Sequence, residues 1–166
     1  MTPQDLDFVA AMMAHPEVNF FYDRRFSRAE SEVWLERQLD RYRRDGKGLW
    51  LAELRDSGLP VGQIGLAFQE VDGERHPEIG WLLDRAHWGR GYATEGGAAI
   101  ADAAFNQWGY DHVISLIRPV NFPSQRVARR IGMTEVRRVQ FHGYEHCVFE
   151  LVSPERAKRV ERARPS

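Results

Sequence analysis

The chain has a single cysteine, Cys147, among its 166 residues. One thiol cannot close an internal disulfide, so the fold must stand without one, and the compartment expected is the reducing cytoplasm. No uninterrupted apolar run reaches the ~20 residues that a membrane-spanning helix needs, so no membrane partner is expected. The first ten residues, MTPQDLDFVA, lack the basic-then-apolar order of a secretory leader. Net charge is almost missing as well, because 23 Lys and Arg stand against 24 Asp and Glu. That balance gives no whole-protein ground for a nucleic-acid partner. Repeats, low-complexity tracts and linkers are also absent. What remains is an ordinary globular mixture, 43% hydrophobic and 28% charged, in a length that suits one core.

Periodicity then sets the order of elements. Residues 2–14 read as a helix, with Thr2 as cap, Pro3 at the first position and Leu6, Val9, Ala10 and Met13 at helical spacing. Pro16 breaks it, and an aromatic loop follows with Phe20, Phe21, Tyr22 and Phe26. Ser27 and Glu30 form a capping box for a second helix, whose stripe runs through Trp34, Leu35, Gln38, Leu39 and Tyr42 to a stop at Asp45 and Gly46. The period then changes to that of strands at 48–56, 61–69 and 78–84, with turns at 56–60 and 71–76. Residues 91–109 read as a helix stopped by Gly109, 111–119 as a strand, and 124–131 as a short helix ended by Gly132. Two last strands, 134–141 and 144–152, meet at His142-Gly143. This order predicts a mixed α/β single domain over 1–153, with a charged helix or tail at 154–166.

The stretch that carries chemistry is EIGWLLDRAHWGRGYATEGG. An apolar strand enters a turn with Gly89 and Gly91, and the turn opens a helix. The glycines permit positive φ and close approach of a ligand. The first-turn amides of the helix, its dipole and Arg90 then favour an anion. Glycines alone also fit an ordinary tight turn. A phosphate loop of the Walker type would end in Gly-Lys-Ser/Thr, where this one ends Gly91-Tyr92-Ala93-Thr94. The dinucleotide fingerprint wants a third glycine, early in a parallel βαβ unit. Both are disfavoured.

The run Trp88-Gly89-Arg90-Gly91-Tyr92-Ala93 resembles the acyl-CoA loop of the GNAT superfamily, Gln/Arg-x-x-Gly-x-Gly/Ala. Trp88 in place of Gln or Arg resembles the RimJ/RimL-type branch, where Trp-Gly-x-Gly-x-Ala-Thr-Glu is usual. Downstream, Asn121-Phe122-Pro123-Ser124 and the helix to Gly132-Met133 resemble that branch's Asn-x-x-Ser, helix and Gly-Phe. The likeness spans nearly the whole chain. It implies a central, mostly antiparallel sheet flanked by helices. Family members usually begin with a strand before the first helix. This chain begins at the helix, so either the start is shortened or the strand is dispensed with; if the strand is missing, a bare sheet edge is expected, with weaker stability or a homodimer contact there.

The resemblance also implies a reaction: direct attack of a primary amine on acetyl-CoA, with no metal. Amides of 89–94 would cradle the pyrophosphate. Backbone groups of Trp81, Leu82 and Leu83 would pair with the pantetheine arm like an added strand, and an amide there would hold the oxyanion; their side chains are also plain core candidates. Asn121 resembles the residue that bonds the pantetheine arm, and Ser124 the general acid for the thiolate, although a serine there also suits an N-cap. Arg126, of the set Arg126, Arg129 and Arg130, is the choice for the 3′-phosphate. Glu78, which also reads as a surface carboxylate, is the first candidate for general base, with His76 and Glu70 in reserve. Phe20, Phe21, Tyr22, Glu78 and Tyr144 are the candidates for the acceptor pocket. His142 and His146 share a strand face but lack a third ligand, a poor metal site. The acceptor itself, a peptide N-terminus or a small amine, is not written in these motifs. A non-catalytic acyl-CoA-binding module would carry the same loop, and Asn121 with Ser124 is what favours catalysis over it.

Overall fold

The computed structural model describes residues 1–22 and 26–162. Its helices are α1 (Leu6–Ala14), α2 (Pro16–Asn19), α3 (Arg28–Asp45), α4 (Tyr92–Asn106), α5 (Phe122–Arg130) and α6 (Pro154–Arg162). Its strands are β1 (Leu49–Glu53), β2 (Pro60–Val71), β3 (Glu74–Leu83), β4 (His112–Ile117), β5 (Thr134–Phe141) and β6 (Tyr144–Val152). The sheet order is β1-β2-β3-β4-β6-β5. β1 and β2 run antiparallel, as do β4 and β6 and β5 and β6, whereas β3 and β4 run parallel. This is the mixed, mostly antiparallel α/β architecture that the sequence predicts. Among the described residues no strand precedes the first helix, and β1 forms one edge of the sheet. The chain clusters into two compact units, Met1–Ala67 with Gly80–Gly97 and Phe68–Ile79 with Ala98–Ser166.

The first unit is built on α1 and α3. The predicted capping box of α3 is present: the Ser27 hydroxyl accepts the Glu30 N–H at 3.2 Å, and the Glu30 carboxylate accepts the Ser27 N–H at 2.8 Å. Ser31, Leu35 and Gln38 form the buried stripe of α3. Val9, Met12, Met13, Val18 and Phe26 make a core cluster on which Phe8, Trp34, Leu82 and Trp88 pack. Gly96 lets α4 lie close on β2, because a Cβ there would come within 2.6 Å of the Ile64 side chain. The N-terminal segment differs from the sequence reading in detail. Pro3–Asp5 is a short 3-10 turn ahead of α1, Pro16 opens α2 rather than a loop, and Phe20–Tyr22 is a further 3-10 turn. Proline suits a first helical position, which is why it starts a helix here as readily as it ends one.

The second unit holds β4, β5, β6, α5 and α6. Val71, Ile114, Val139 and Val148 form its core cluster, flanked by Leu116 and Phe141. The β2–β3 hairpin is tighter than the sequence suggests, whereas β5 and β6 meet at His142-Gly143 as predicted. β2 continues to Val71 and β3 begins at Glu74, so the predicted turn over 71–76 shrinks to Asp72 and Gly73. Both adopt positive φ, 53° and 82°, the conformation whose twist matches the flanking strands. His142 and Gly143 repeat this between β5 and β6. Pro154–Arg162, which follows Ser153, is helical: the Ser153 hydroxyl accepts the Arg156 N–H at 3.1 Å, and Arg159 bonds Asp111 at 2.7 Å.

Candidate active site

In the first unit, β3 runs into the glycine turn through a short 3-10 turn, Arg85–His87, which Asp84 caps by accepting the Ala86 N–H at 2.9 Å. Trp88 closes this bend, its indole N–H donating to the Leu83 carbonyl at 2.9 Å. Its ring packs on the α1 cluster and lies under the Arg85 guanidinium at 5.2 Å. The tryptophan that replaces Gln or Arg in the loop pattern thus fastens the loop to its own strand. Gly89 and Gly91 have φ of 77° and 91°, and an added Cβ would meet nothing within 4 Å. Backbone conformation, not crowding, demands glycine at both places. The first helical bond of α4 is Glu95 N–H to the Gly91 carbonyl at 2.9 Å. The amides of Tyr92, Ala93 and Thr94 precede that bond and lie at the positive end of the helix dipole. Arg90 beside them is exposed. On β3, Leu83 is buried and Leu82 packs on the α1 cluster, so their side chains are core and only their backbone faces remain for a ligand.

The aromatic segment belongs to the same unit. Asn19, 3% exposed, donates its side-chain N–H to the Met13 carbonyl at the end of α1 and so fixes where Phe20 begins. Phe20 is 67% exposed and meets the Phe21 ring edge-on, and Tyr22 is also exposed. Glu17 bonds Arg85 at 2.8 Å, which ties α2 to the turn that carries Trp88. Two side chains here escaped the sequence reading. His87 lies against the Tyr92 ring with its Nδ1 buried and without a partner. Gln63 on β2 is fully buried, accepts the Trp34 indole N–H at 2.9 Å, and leaves its Nε2 without a partner.

In the second unit, Glu78 lies opposite Ile114 across the parallel pair. From there side chains hold the two strands. Glu78 Oε1 accepts the Leu116 N–H at 3.1 Å, and Oε2 accepts the Gln69 side-chain N–H at 2.7 Å. Ser115, 2% exposed, donates its hydroxyl to the Ile79 carbonyl at 2.7 Å. Glu78 is therefore a half-buried, sheet-holding carboxylate rather than a loose surface one. His76 sits farther back on β3, 3.1 Å from the His112 ring.

The loop after β4 carries the second motif. Asn121, not Ser124, is the N-cap of α5: its side-chain oxygen accepts the Ser124 N–H at 3.1 Å. The helix begins at Phe122 because Pro123 fits the first turn, which moves the cap three residues upstream of the serine. Gln125 is buried and holds the loop from within, donating to the Pro119 carbonyl at 2.8 Å and accepting from Arg129 at 3.2 Å. Arg129 also covers the Phe149 ring, whereas Arg126 is exposed. Tyr144 is exposed at the start of β6 with the Arg118 guanidinium 4.3 Å over its ring. His146 donates from Nδ1 to the Tyr144 carbonyl at 3.0 Å. Burial, aided by the charge of Arg118, pushes its pKa below the usual histidine value. Among the described residues no group of three metal-binding side chains comes together.

Residues 1–134 match the model of the acetyltransferase (GNAT) domain. The uncharacterized protein YkkB of Bacillus subtilis (strain 168) is 34% identical over 118 residues, 71% of this chain and 69% of that one. Among solved structures, an acetyltransferase from Agrobacterium tumefaciens superposes with a TM-score of 0.77 at 26% identity, over 92% of this chain and 88% of that one. The fold is also that of aminoglycoside acetyltransferase AAC(6')-Ib in complex with coenzyme A, with a TM-score of 0.78 at 17% identity over 97% and 96% of the two chains. With the family match running through 134 of its residues, the chain belongs to the GNAT acetyltransferase family.

Proposed function

We propose that this acetyltransferase is an N-acetyltransferase of the RimJ/RimL type, acting in the cytoplasm and moving the acetyl group of acetyl-CoA directly to a primary amine. The observation that carries the reading is the 88–94 turn: two open glycines at positive φ, followed by helix amides that precede the first helical bond. Those amides, with Arg90, bind the pyrophosphate. The backbone of Trp81, Leu82 and Leu83 takes the pantetheine arm as an added strand, Asn121 bonds the arm, and Arg126 meets the 3′-phosphate. Ser124 returns a proton to the leaving thiolate; Asn121, whose side-chain oxygen accepts the Ser124 N–H, caps the helix on which the serine stands. Phe20, Phe21, Tyr22 and Tyr144 offer apolar contact to the acceptor, and Glu78 attracts its ammonium.

Two measurements on the full chain test this. Calorimetry with acetyl-CoA gives saturable binding if the loop is a cofactor site. A thiol-release assay over amines then gives turnover, with α-amines favoured because they lose a proton near ~7.7–8.0 rather than the ~10.4 of lysine. Binding without turnover of any amine assigns the chain instead to non-catalytic acyl-CoA binding.

A further inference from the structure

We propose that His146 is the proton acceptor for the attacking amine, an inference that rests on the amine-acetylation reading above. The argument begins with the hydrogen. His146 Nδ1 lies 3.0 Å from the Tyr144 carbonyl oxygen, which only accepts, so the ring hydrogen sits on Nδ1. Nε2 then carries a lone pair, and no protein group among the described residues bonds it. Second-site fixing of the tautomer in this manner is how a histidine is set to receive a proton.

Place follows from register. Cys147 lies opposite Ile117 at the C-terminal end of β4, and His146 is the next residue on β6, opposite Val139 of β5. Asn121 and Ser124 follow that same end of β4. Side chains directly opposite one another share a sheet face, and faces alternate along a strand. Glu78, Ile114, Leu116, Val148, His146 and Tyr144 therefore all lie on one face of this unit. The ring rests edge-on against Phe141 at 5.6 Å. The charged or titratable groups around it are Arg118, His142 and Tyr144, with Glu78 on the same face. Burial and the charge of Arg118 favour the neutral ring, the form a base requires.

Glu78 is the less suitable base on this geometry. Each of its oxygens accepts a bond that ties strands together, so protonation would loosen the sheet at every turnover. Nε2 of His146 has no such duty. In the reaction the amine nitrogen forms the new C–N bond at the thioester carbonyl, and one N–H proton passes to Nε2. The C–S bond breaks, and one proton ends on sulfur, so amide and thiol form with nothing else consumed.

The test is the pH profile of kcat/KM, expressed per neutral amine so that the acceptor's own ionisation drops out, at saturating acetyl-CoA with Ala-Ala-Ala and phenethylamine as acceptors, beside an NMR titration of the histidines. The expected acid limb coincides with the titration of His146, whose spectrum shows the Nδ1–H tautomer. His146→Gln lowers kcat/KM by about 100-fold or more and removes the limb, with the acetyl-CoA Kd unchanged. Glu78→Gln lowers stability but keeps the limb. A limb that survives in His146→Gln, a limb lost in Glu78→Gln, or an Nε2–H tautomer overturns the proposal. The NMR match serves even where a variant folds poorly. A wild type that binds acetyl-CoA and acetylates neither amine fails at the earlier step, the functional reading, and the proposal falls with it.

Discussion

Gly91→Ala separates the cost of a backbone conformation from the cost of losing a ligand. Gly91 has φ of 91° and open space where a Cβ would go. The substitution therefore creates no clash and costs only the strain of a left-handed residue, about 1–2 kcal/mol. At this chain length that lowers Tm by about 2–8 °C. Gly109→Ala is a matched control, with φ of 70° and the same open surroundings at the far end of α4. The two variants should melt within a few degrees of each other. They should part company in calorimetry. In the proposed binding mode the new methyl in Gly91→Ala stands where phosphate oxygens approach the turn, and each charge-assisted hydrogen bond lost is worth about 1.5–3 kcal/mol. Losing one weakens acetyl-CoA binding about 10- to 150-fold. Gly109→Ala should bind as the wild type does. Equal Kd values for the two variants would refute the assignment of the turn to the cofactor. A much larger melting loss for Gly91→Ala would refute the claim that the space beside it is open.

Two further outcomes concern stability. Trp34→Phe strands the buried Gln63 oxygen and should cost about 1–3 kcal/mol in urea melts, and adding Gln63→Leu should restore part of it because both polar partners are then gone; a double variant no more stable than Trp34→Phe alone counts against this account. Burial, reinforced by Arg156, holds the His112 pKa below its ordinary 6.5. The folded chain then binds fewer protons than the unfolded one, so the stability this provides is complete above pH 6.5 and is lost as pH falls through 6.5 towards the folded value. Urea midpoints should drop over that window, and His112→Phe should flatten the drop; an unchanged slope would show that another group carries it.

The elements that were legible in the sequence are those coded locally. Ser27 with Glu30 announces α3, and the switch from helical to alternating period at Leu49 announces the sheet. The glycine turn is readable because positive φ has one cheap solution. What escaped is non-local. Nothing near Ser115 in sequence says that its hydroxyl will meet Ile79, or that Gln69 will hold Glu78. The helix cap fell on Asn121 because two good capping residues stand three apart and only Pro123 decides between them. His146 was legible as one of a histidine pair, but its tautomer depends on a carbonyl two residues away that only the strand geometry brings near.

The parallel step between β3 and β4 has one more implication. Where backbone amides lace two strands, almost any sequence maintains the spacing, and evolution can alter it only by insertion or deletion. Beyond the Glu78–Ile114 pair, a carboxylate and a hydroxyl, Glu78 and Ser115, add to the lacing here. The width of the joint is thus written in replaceable letters. A lineage could widen or narrow it by point substitution while the loop at 88–94 stays as it is.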